Sequence, residues 1–117
     1  MKVYLYHKCS TCKNAQRFLE MHNLKPTFIE ITQQPPSLDD LKTMLALQGG
    51  QLRKLFNTSG QLYREMHLSD KLETMPLEDA LKLLQGNGML VKRPFLLSKE
   101  VGLLGFNEKE WTEVFNL

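Results

Sequence analysis

The sequence predicts an α/β fold built on a mixed four-stranded sheet with helices on both faces. Three observations lead to this prediction. A strand, a helix and a second strand follow one another within residues 1–31, helical patterns fill residues 33–88, and strand patterns return afterwards, before a last helix. The order βαβ, helical insert, ββα describes a single domain over residues 1–117.

The first unit is the βαβ arrangement. Lys2–His7 alternates in character and is rich in Val and Tyr, which is typical of a strand. Apolar residues at helical spacing follow over Ser10–His22, and Asn23 suits the helix end. Thr27–Ile31 is a second strand, entered through Pro26. Two strands joined by a helix in this way run parallel, with a right-handed crossover.

The insert begins and ends with recognisable caps. Ser37 predicts its first helix, because a serine hydroxyl accepts from the free N–H groups of the first turn, and Gly49–Gly50 ends that helix. Pro76 suits the first position of a later helix, which ends at Gly86–Gly88. Shorter helical patterns, separated by the turn cluster Asn57–Gly60, cover Leu52–Phe56 and Leu62–Leu68.

The end of the chain completes the sheet. Strand patterns return at Leu90–Val91, Phe95–Leu97 and Val101–Leu104. Ser98–Glu100 separates the last two and predicts a hairpin. Asn107 and Glu110 resemble a capping pair for a last helix that ends near Phe115.

Composition and charge narrow the classes of function. The 117 residues are 42% hydrophobic and 24% charged, as in ordinary globular proteins. A net charge of +2 gives no reason to expect direct binding to nucleic acid or to a membrane surface. No segment resembles a signal peptide or a membrane span. We therefore expect a cytoplasmic monomer, in a compartment where paired cysteines are catalytic, sensing or metal-binding rather than structural.

Cys9 and Cys12 form a C-x-x-C motif between the first strand and the first helix. Unpaired N–H groups and the positive end of the helix dipole lie there, and both stabilise a thiolate. With Lys8 and Lys13 nearby, the pKa of Cys9 is expected below its ordinary value of about 8.5. We expect Cys9 to attack and Cys12, one turn deeper, to resolve the mixed disulfide. The neighbouring binding residues would be Lys8, Ser10, Thr11 and Lys13.

Two other interpretations of the cysteine pair stay open at this point. A C-x-x-C can be half of a zinc site, although there is no second such motif and only His7 among the histidines is close in sequence. The two cysteines can also be inert, since small cysteines pack well in cores.

Arg93 and Pro94 are the second candidate feature. Pro94 precedes the strand Phe95–Leu97, and proline suits a strand's start because it lacks an N–H for the ladder. The element order resembles the thioredoxin-like fold, in which a cis-proline at this point faces the thiol pair. That resemblance implies a cis bond before Pro94 and an Arg93 side chain near Cys9, where it would hold an anion or thiolate. The alternative is a solvated arginine in the basic pair Lys92–Arg93.

Several motifs together resemble the arsenate reductase (ArsC)-like family, which includes the Spx/MgsR redox regulators. The resemblance covers nearly the whole chain. It rests on Tyr4–Ala15, Pro35–Ser37, Phe56–Gly60 with Tyr63–Glu65, Gly88–Pro94, and Val101–Gly102 through Gly105–Glu108. The family fold is a thioredoxin-like, glutaredoxin-like sheet with an inserted helical lobe, which agrees with the element order above.

The resemblance implies roles for particular residues. The family's nucleophile falls on Cys9, and its arginine before the cis-proline falls on Arg93. True arsenate reductases of this type bind the oxyanion with three arginines. The other two would fall near Asn57 and in Leu104–Phe106, where this chain has none. A buried oxyanion needs paired positive donors, so the sequence argues against genuine arsenate reduction.

The predicted function is thiol–disulfide oxidoreduction of a disulfide or oxyanion substrate. Electrons would come from a low-molecular-weight thiol, glutaredoxin or thioredoxin, and no metal, nucleotide or flavin is implied. The alternative is an Spx-like redox regulator that binds the C-terminal domain of the RNA polymerase α subunit. Such regulators usually carry a basic tail after the last helix, whereas this sequence stops at Leu117, and this difference favours the reductase branch.

Overall fold

A computed structural model describes all residues, 1–117, and shows the predicted α/β fold. Two 3-10 helices accompany the regular elements, at Leu52–Leu55 and Gly88–Leu90. The strands are β1 (Lys2–Leu5), β2 (Thr27–Glu30), β3 (Phe95–Leu97) and β4 (Gly102–Leu104). The helices are α1 (Ser10–Met21), α2 (Leu38–Leu47), α3 (Gln61–Glu65), α4 (Leu68–Lys71), α5 (Leu77–Gly86) and α6 (Glu108–Val114).

The four strands form one mixed sheet in the order β2-β1-β3-β4. β1 and β2 run parallel, with Val3 opposite Phe28, as expected for strands that α1 connects. β3 lies antiparallel to β1, with Leu96 opposite Val3, and β4 pairs antiparallel with β3. The parallel pair brings the carboxyl ends of β1 and β2 to one edge, where the thiol motif begins.

The sheet separates two apolar cores, because successive strand residues point to opposite faces. Val3 and Leu96 belong to the core beneath α1 and α6, which is closed by the fully buried Trp111. Tyr4 and Phe95 belong to the larger core beneath the helices that lie between β2 and β3. Each fully buried side chain of this size stabilises the fold by roughly 1.5–3 kcal/mol. The predicted helices on both faces are confirmed.

Side-chain caps begin two helices where the sequence predicted them. The Ser37 hydroxyl accepts the Asp40 N–H at 3.1 Å and begins α2. The Asn107 side-chain oxygen Oδ1 accepts the Glu110 N–H at 2.9 Å and begins α6. Such a cap contributes about 1 kcal/mol, because it satisfies a backbone donor that the helix leaves free.

Three local predictions were wrong. Leu90–Val91 is not a strand of the sheet: Leu90 ends a 3-10 helix, and Val91 forms an isolated bridge with Phe56. The Asn87 side chain accepts the Met89 N–H and turns the chain at this point.

The pattern over Leu62–Leu68 is two short helices, because His67 takes the left-handed conformation at φ 53° between them. Pro76 precedes α5 instead of occupying its first position.

The longest helix, α1, has 12 residues, and no helix combines the length and apolar character that crossing a membrane requires.

Candidate functional site

Cys9 sits at the N-cap of α1. Its N–H donates to the Tyr6 carbonyl at 3.0 Å, which closes the turn after β1. Its backbone is extended, with φ −95° and ψ 118°, and its carbonyl accepts the first bond of the helix, from Lys13. The sulfur accepts the Cys12 N–H at 3.4 Å. The thiol therefore occupies the place where a serine or aspartate oxygen usually caps a helix, at the positive end of its dipole.

Cys12 lies one turn further along α1 and is 1% exposed, whereas Cys9 is half-buried. The Cys12 side chain packs in the core beneath α1 with Leu5 and Ala15. Both cysteines are free thiols in this structure. The Cys9 thiol is thus partly exposed to solvent, whereas the Cys12 thiol is buried.

The surroundings move the two pKa values in opposite directions. Partial burial opposes ionisation of Cys9, but hydrogen bonds from the side chain and backbone of Cys12, together with the charge and hydrogen bond of Arg93, outweigh it and lower the pKa. Burial is the main reason that the pKa of Cys12 rises to about 12, and the hydrogen bond and charge of Cys9 add to it. The pair therefore divides into a thiol that ionises more readily than usual, Cys9, and one that stays protonated at neutral pH, Cys12.

Arg93 reaches the thiol pair across the sheet, from the residue before the buried Pro94. The Arg93–Pro94 bond is cis, as predicted. The guanidinium lies 5.1 Å above the Tyr6 ring, and one terminal nitrogen donates to the Met89 carbonyl at 3.4 Å. Its Nε is buried without a hydrogen-bond partner. Arg93 therefore retains a donor for a ligand in addition to its interaction with Cys9.

The predicted binding residues that flank the two cysteines in sequence lie at the surface. Ser10, Thr11, Lys8 and Lys13 are all exposed. Neither lysine is among the principal causes of the Cys9 pKa shift, which come from Cys12 and Arg93. The charge of Arg93 therefore acts on the thiol, whereas the two lysines stay at the surface.

His7 and Glu30 form a contact that sequence reasoning missed. The His7 backbone N–H and its Nδ1 lie 3.0 and 2.7 Å from one Glu30 oxygen, and the Thr32 N–H and hydroxyl donate to the other. Desolvation opposes ionisation, but these bonds together outweigh it and lower the pKa of Glu30 to about 2. The contact ties the loop before Cys9 to the end of β2. The predicted parallel pairing placed the ends of β1 and β2 at one edge, but the contact also depends on the register, in which Leu5 pairs with Glu30.

A cavity of about 260 Å³ opens beside this contact, between α1 and the edge strand β2. Its lining combines apolar side chains with Cys12, His7, Lys13 and Glu30. No three or more His, Cys, Asp or Glu side chains group in a way that could hold a metal ion. The His7 Nδ1 faces Glu30 instead of the cysteines.

A model of the ArsC family matches residues 4–114. This chain belongs to the ArsC family. It is 43% identical over 113 residues to YusI, an uncharacterized protein of Bacillus subtilis strain 168, across 97% of this chain and 96% of YusI. The crystal structure of an ArsC family related protein from Bacteroides fragilis shares 39% identity and a TM-score of 0.88, covering 97% of this chain and 95% of that one.

Transcriptional regulators are also among the relatives of this chain. It is 27% identical over 108 residues to global transcriptional regulator Spx 1 of Oceanobacillus iheyensis, across 92% of this chain and 81% of that protein. The thioredoxin-like fold class and the predicted ArsC-like, Spx-related resemblance are both confirmed by these relatives.

Within this ArsC family fold, Arg93 is the one arginine whose charge acts on Cys9. Asn57 lies near one position that carries an arginine in true arsenate reductases, and its backbone N–H donates to the Leu90 carbonyl at 2.8 Å. At the other, Gly105 takes φ 73° and lies against the Lys92 side chain. Lys92 itself lines a separate cavity of about 400 Å³, with Arg53 and Lys54, that includes neither cysteine.

Proposed function

We propose that this ArsC family protein is a cytoplasmic thiol–disulfide oxidoreductase in which Cys9 attacks and Cys12 resolves. The observation that carries the proposal is the asymmetry of the pair. Cys9 is half-buried, has a lowered pKa and accepts the Cys12 N–H, whereas Cys12 is buried with its pKa raised to about 12. An attacking thiol needs access and thiolate character from the start, whereas a resolving thiol needs reach and has to ionise only after the mixed disulfide has formed.

The proposed reaction consists of two exchanges. The Cys9 thiolate attacks one sulfur of a substrate disulfide, forms a mixed disulfide and releases the other half of the substrate as a thiolate, which takes a proton from water. Cys12 then loses its proton and attacks the Cys9 sulfur. The bound half leaves as a thiol, and a Cys9–Cys12 disulfide remains. The substrate gains two electrons and the cysteine pair loses two.

The first exchange prepares the second. Two causes of the raised Cys12 pKa are the hydrogen bond to Cys9 and the charge of Cys9. Both disappear when Cys9 becomes part of a neutral mixed disulfide. The Cys12 thiol then ionises more readily, so the resolving residue becomes active only after the attack has occurred.

The oxidised pair would be returned to the dithiol by an external thiol: a low-molecular-weight thiol, glutaredoxin or thioredoxin. Arg93 would stabilise the Cys9 thiolate between turnovers, since its charge and a hydrogen bond both act on that sulfur. The proposed reaction needs no bound metal or organic cofactor.

Trapping tests the proposal. A Cys12→Ser variant incubated with a substrate disulfide should accumulate a mixed disulfide at Cys9, seen as a mass increase equal to half the disulfide. A Cys9→Ser variant should accumulate none. A mixed disulfide that forms on Cys12 instead would reverse the proposed roles, and one that forms on neither would end the proposal.

Arsenate is a weaker candidate substrate than a disulfide. With Arg93 as the one arginine acting on Cys9, a desolvated oxyanion would lack most of its positive partners. Thiol-coupled arsenate reduction should therefore stay at the background rate, measured against the same protein with Cys9 replaced by Ser. Turnover above that control would overturn this part of the proposal.

Similarity to Spx 1 favours one alternative, a redox-sensing regulator that binds the RNA polymerase α subunit. The same cysteine pair would act as an oxidation switch instead of a catalyst. Pull-down of the α C-terminal domain by oxidised and reduced protein separates the two functions. Binding that depends on the redox state of the pair supports the regulator, whereas disulfide turnover that is lost in Cys9→Ser supports the enzyme.

A further inference from the structure

Positive charge is concentrated on the two segments that build the thiol site. Residues 7–13 contain Lys8 and Lys13, Arg93 acts on Cys9 from residues 88–95, and neither segment contains an acidic residue. Without these three cations, 12 basic and 13 acidic residues remain in the chain. The chain as a whole carries +2, yet the part outside the site is net negative. The excess positive charge therefore belongs to the site itself.

None of these three cations is neutralised by a carboxylate. The four ion pairs of the structure involve Lys2, His7, Lys42 and Arg53. Lys8 and Lys13 are exposed on either side of the thiols, and the buried Nε of Arg93 has no acceptor. Glu30, the carboxylate at the edge of the site, uses both of its oxygens on His7 and Thr32. An anionic substituent arriving beside Cys9 would thus meet free cations.

We infer that the preferred substrates are small disulfides that carry carboxylates within a few bonds of the sulfur atoms. This inference rests on the proposed oxidoreductase function and adds the charge of the substrate to it. Lys8 directly precedes Cys9, and Lys13 directly follows Cys12 and lines the same cavity as Cys12. Both lysines are exposed, so the inference assigns them the contacts with the substrate's carboxylates. The reaction is the two-step exchange described above, with the anionic half released from Cys9 by Cys12.

The size of the preference follows from electrostatics. Attraction between unit charges about 7 Å apart in water changes an equilibrium by a factor of about two to three. Two or three such pairs together give about a tenfold advantage for an anionic over a neutral disulfide at low salt. Screening at about 0.5 M salt should reduce that advantage to about twofold, since the Debye length then falls below the separation.

Three disulfides of equal chain length test the inference. They are 3,3′-dithiodipropionate (two carboxylates), bis(2-hydroxyethyl) disulfide (uncharged) and cystamine (two amines). Reduced protein is mixed with each, the loss of the free Cys9 thiol is timed, and each rate is divided by that disulfide's rate with dithiothreitol, an uncharged dithiol. The corrected rates should fall in the order carboxylate, hydroxyl, amine, with about tenfold between the first two at low salt.

A Lys8→Gln/Lys13→Gln double variant should bring the three corrected rates closer together. A change in the Cys9 pKa would change the rates with all three disulfides by the same factor. The ratio of these rates therefore reports only the effect of the charge on the substrate. The control is Lys25→Gln/Lys99→Gln, which removes two exposed lysines beyond the opposite end of the sheet and should keep the wild-type ratio.

The outcomes separate the two proposals. Equal corrected rates in the wild type overturn the charge preference while the oxidoreductase function stands. A preference that persists unchanged in the Lys8/Lys13 variant overturns its assignment to these lysines. Absence of reaction with all three disulfides ends both proposals.

Discussion

The backbone N–H of Cys12 points at the Cys9 sulfur, 3.4 Å away. The residue proposed to resolve the mixed disulfide therefore also stabilises the thiolate that forms it. We expect the rate of Cys9 alkylation by iodoacetamide to rise with a midpoint below about 8.5, the value of an unperturbed thiol. The rate is followed by mass spectrometry from pH 4 to 10. A midpoint near the unperturbed value would show that the helix terminus and Arg93 do not activate this thiol.

Replacement of Arg93 tests its share in this activation. Arg93→Ala removes a charge and a hydrogen bond from the Cys9 thiolate, so the alkylation midpoint should move upward and the rate at pH 7 should fall several-fold. Arg93→Lys keeps the charge but loses the planar group above Tyr6, and it should lie between wild type and Arg93→Ala. Arg17→Ala, at an exposed position of α1, is the matched control and should keep the wild-type midpoint.

Cys12 should resist modification as long as the protein is folded. It is 1% exposed and its pKa is raised to about 12, so it has neither access nor thiolate character at neutral pH. Excess iodoacetamide at pH 7 should add one group per native chain, at Cys9, and two per chain in guanidinium chloride. Peptide mapping identifies the modified residue. Rapid double modification of the native protein would contradict the buried position of Cys12.

The contact between His7 and Glu30 makes the free energy of unfolding depend on pH in the acid range. The pKa of Glu30 is lowered from 4.5 to about 2 in the folded protein, so the folded state binds fewer protons than the unfolded state between these values. Its contribution to the free energy of unfolding is present above about pH 4.5 and is lost as the pH falls toward 2. Urea unfolding at pH 2, 3, 4 and 6 measures this loss.

Glu30→Gln removes that contribution, so its unfolding free energy should fall less between pH 6 and 2 than that of the wild type. Glu113→Gln is the control, because Glu113 is exposed at the other end of the chain and forms no ion pair. Parallel acid profiles for the wild type and Glu30→Gln would show that His7 and Thr32 do not hold this carboxylate in solution.

Local signals predicted the parts of this protein that depend on neighbours in sequence. Ser37 and Asn107 cap the helices expected of them, and Cys9 lies at the start of α1, four residues after the end of β1. The pairing of the first two strands follows from the helix between them.

Features set by distant contacts could not be predicted in the same way. Leu90–Val91 is as apolar as a strand, yet the close packing of Gly88 on Ile31 and the Asn87 turn leave it outside the sheet. The contact between His7 and Glu30 joins residues 23 positions apart and needs the register of β1 on β2. In the site, the motif indicated Cys9 and Cys12 directly, whereas the position of Arg93 followed only from the resemblance to a known fold.

Gly88 packs against the backbone of Ile31 and directly precedes Met89, whose carbonyl accepts a hydrogen bond from Arg93. A Cβ at position 88 would collide with the carbonyl group of Ile31, which follows β2 and cannot easily move. Gly88→Ala should therefore destabilise the protein by about 1–3 kcal/mol, the cost of overpacking a core. Gly86→Ala is the matched control two residues earlier, where a Cβ meets nothing within 4 Å, and it should be neutral or stabilising by up to about 1 kcal/mol.

The same substitution should reach the thiol site. Gly88 begins the 3-10 helix that contains Met89, whose carbonyl accepts from Arg93. A displaced Met89 would move the guanidinium away from Cys9, so Gly88→Ala should slow alkylation of Cys9 at pH 7 under conditions where the variant remains folded. Circular dichroism checks folding in the same samples. Unchanged alkylation in a destabilised variant would show that Arg93 is held by Tyr6 and the Pro94 backbone, independently of the turn at Gly88.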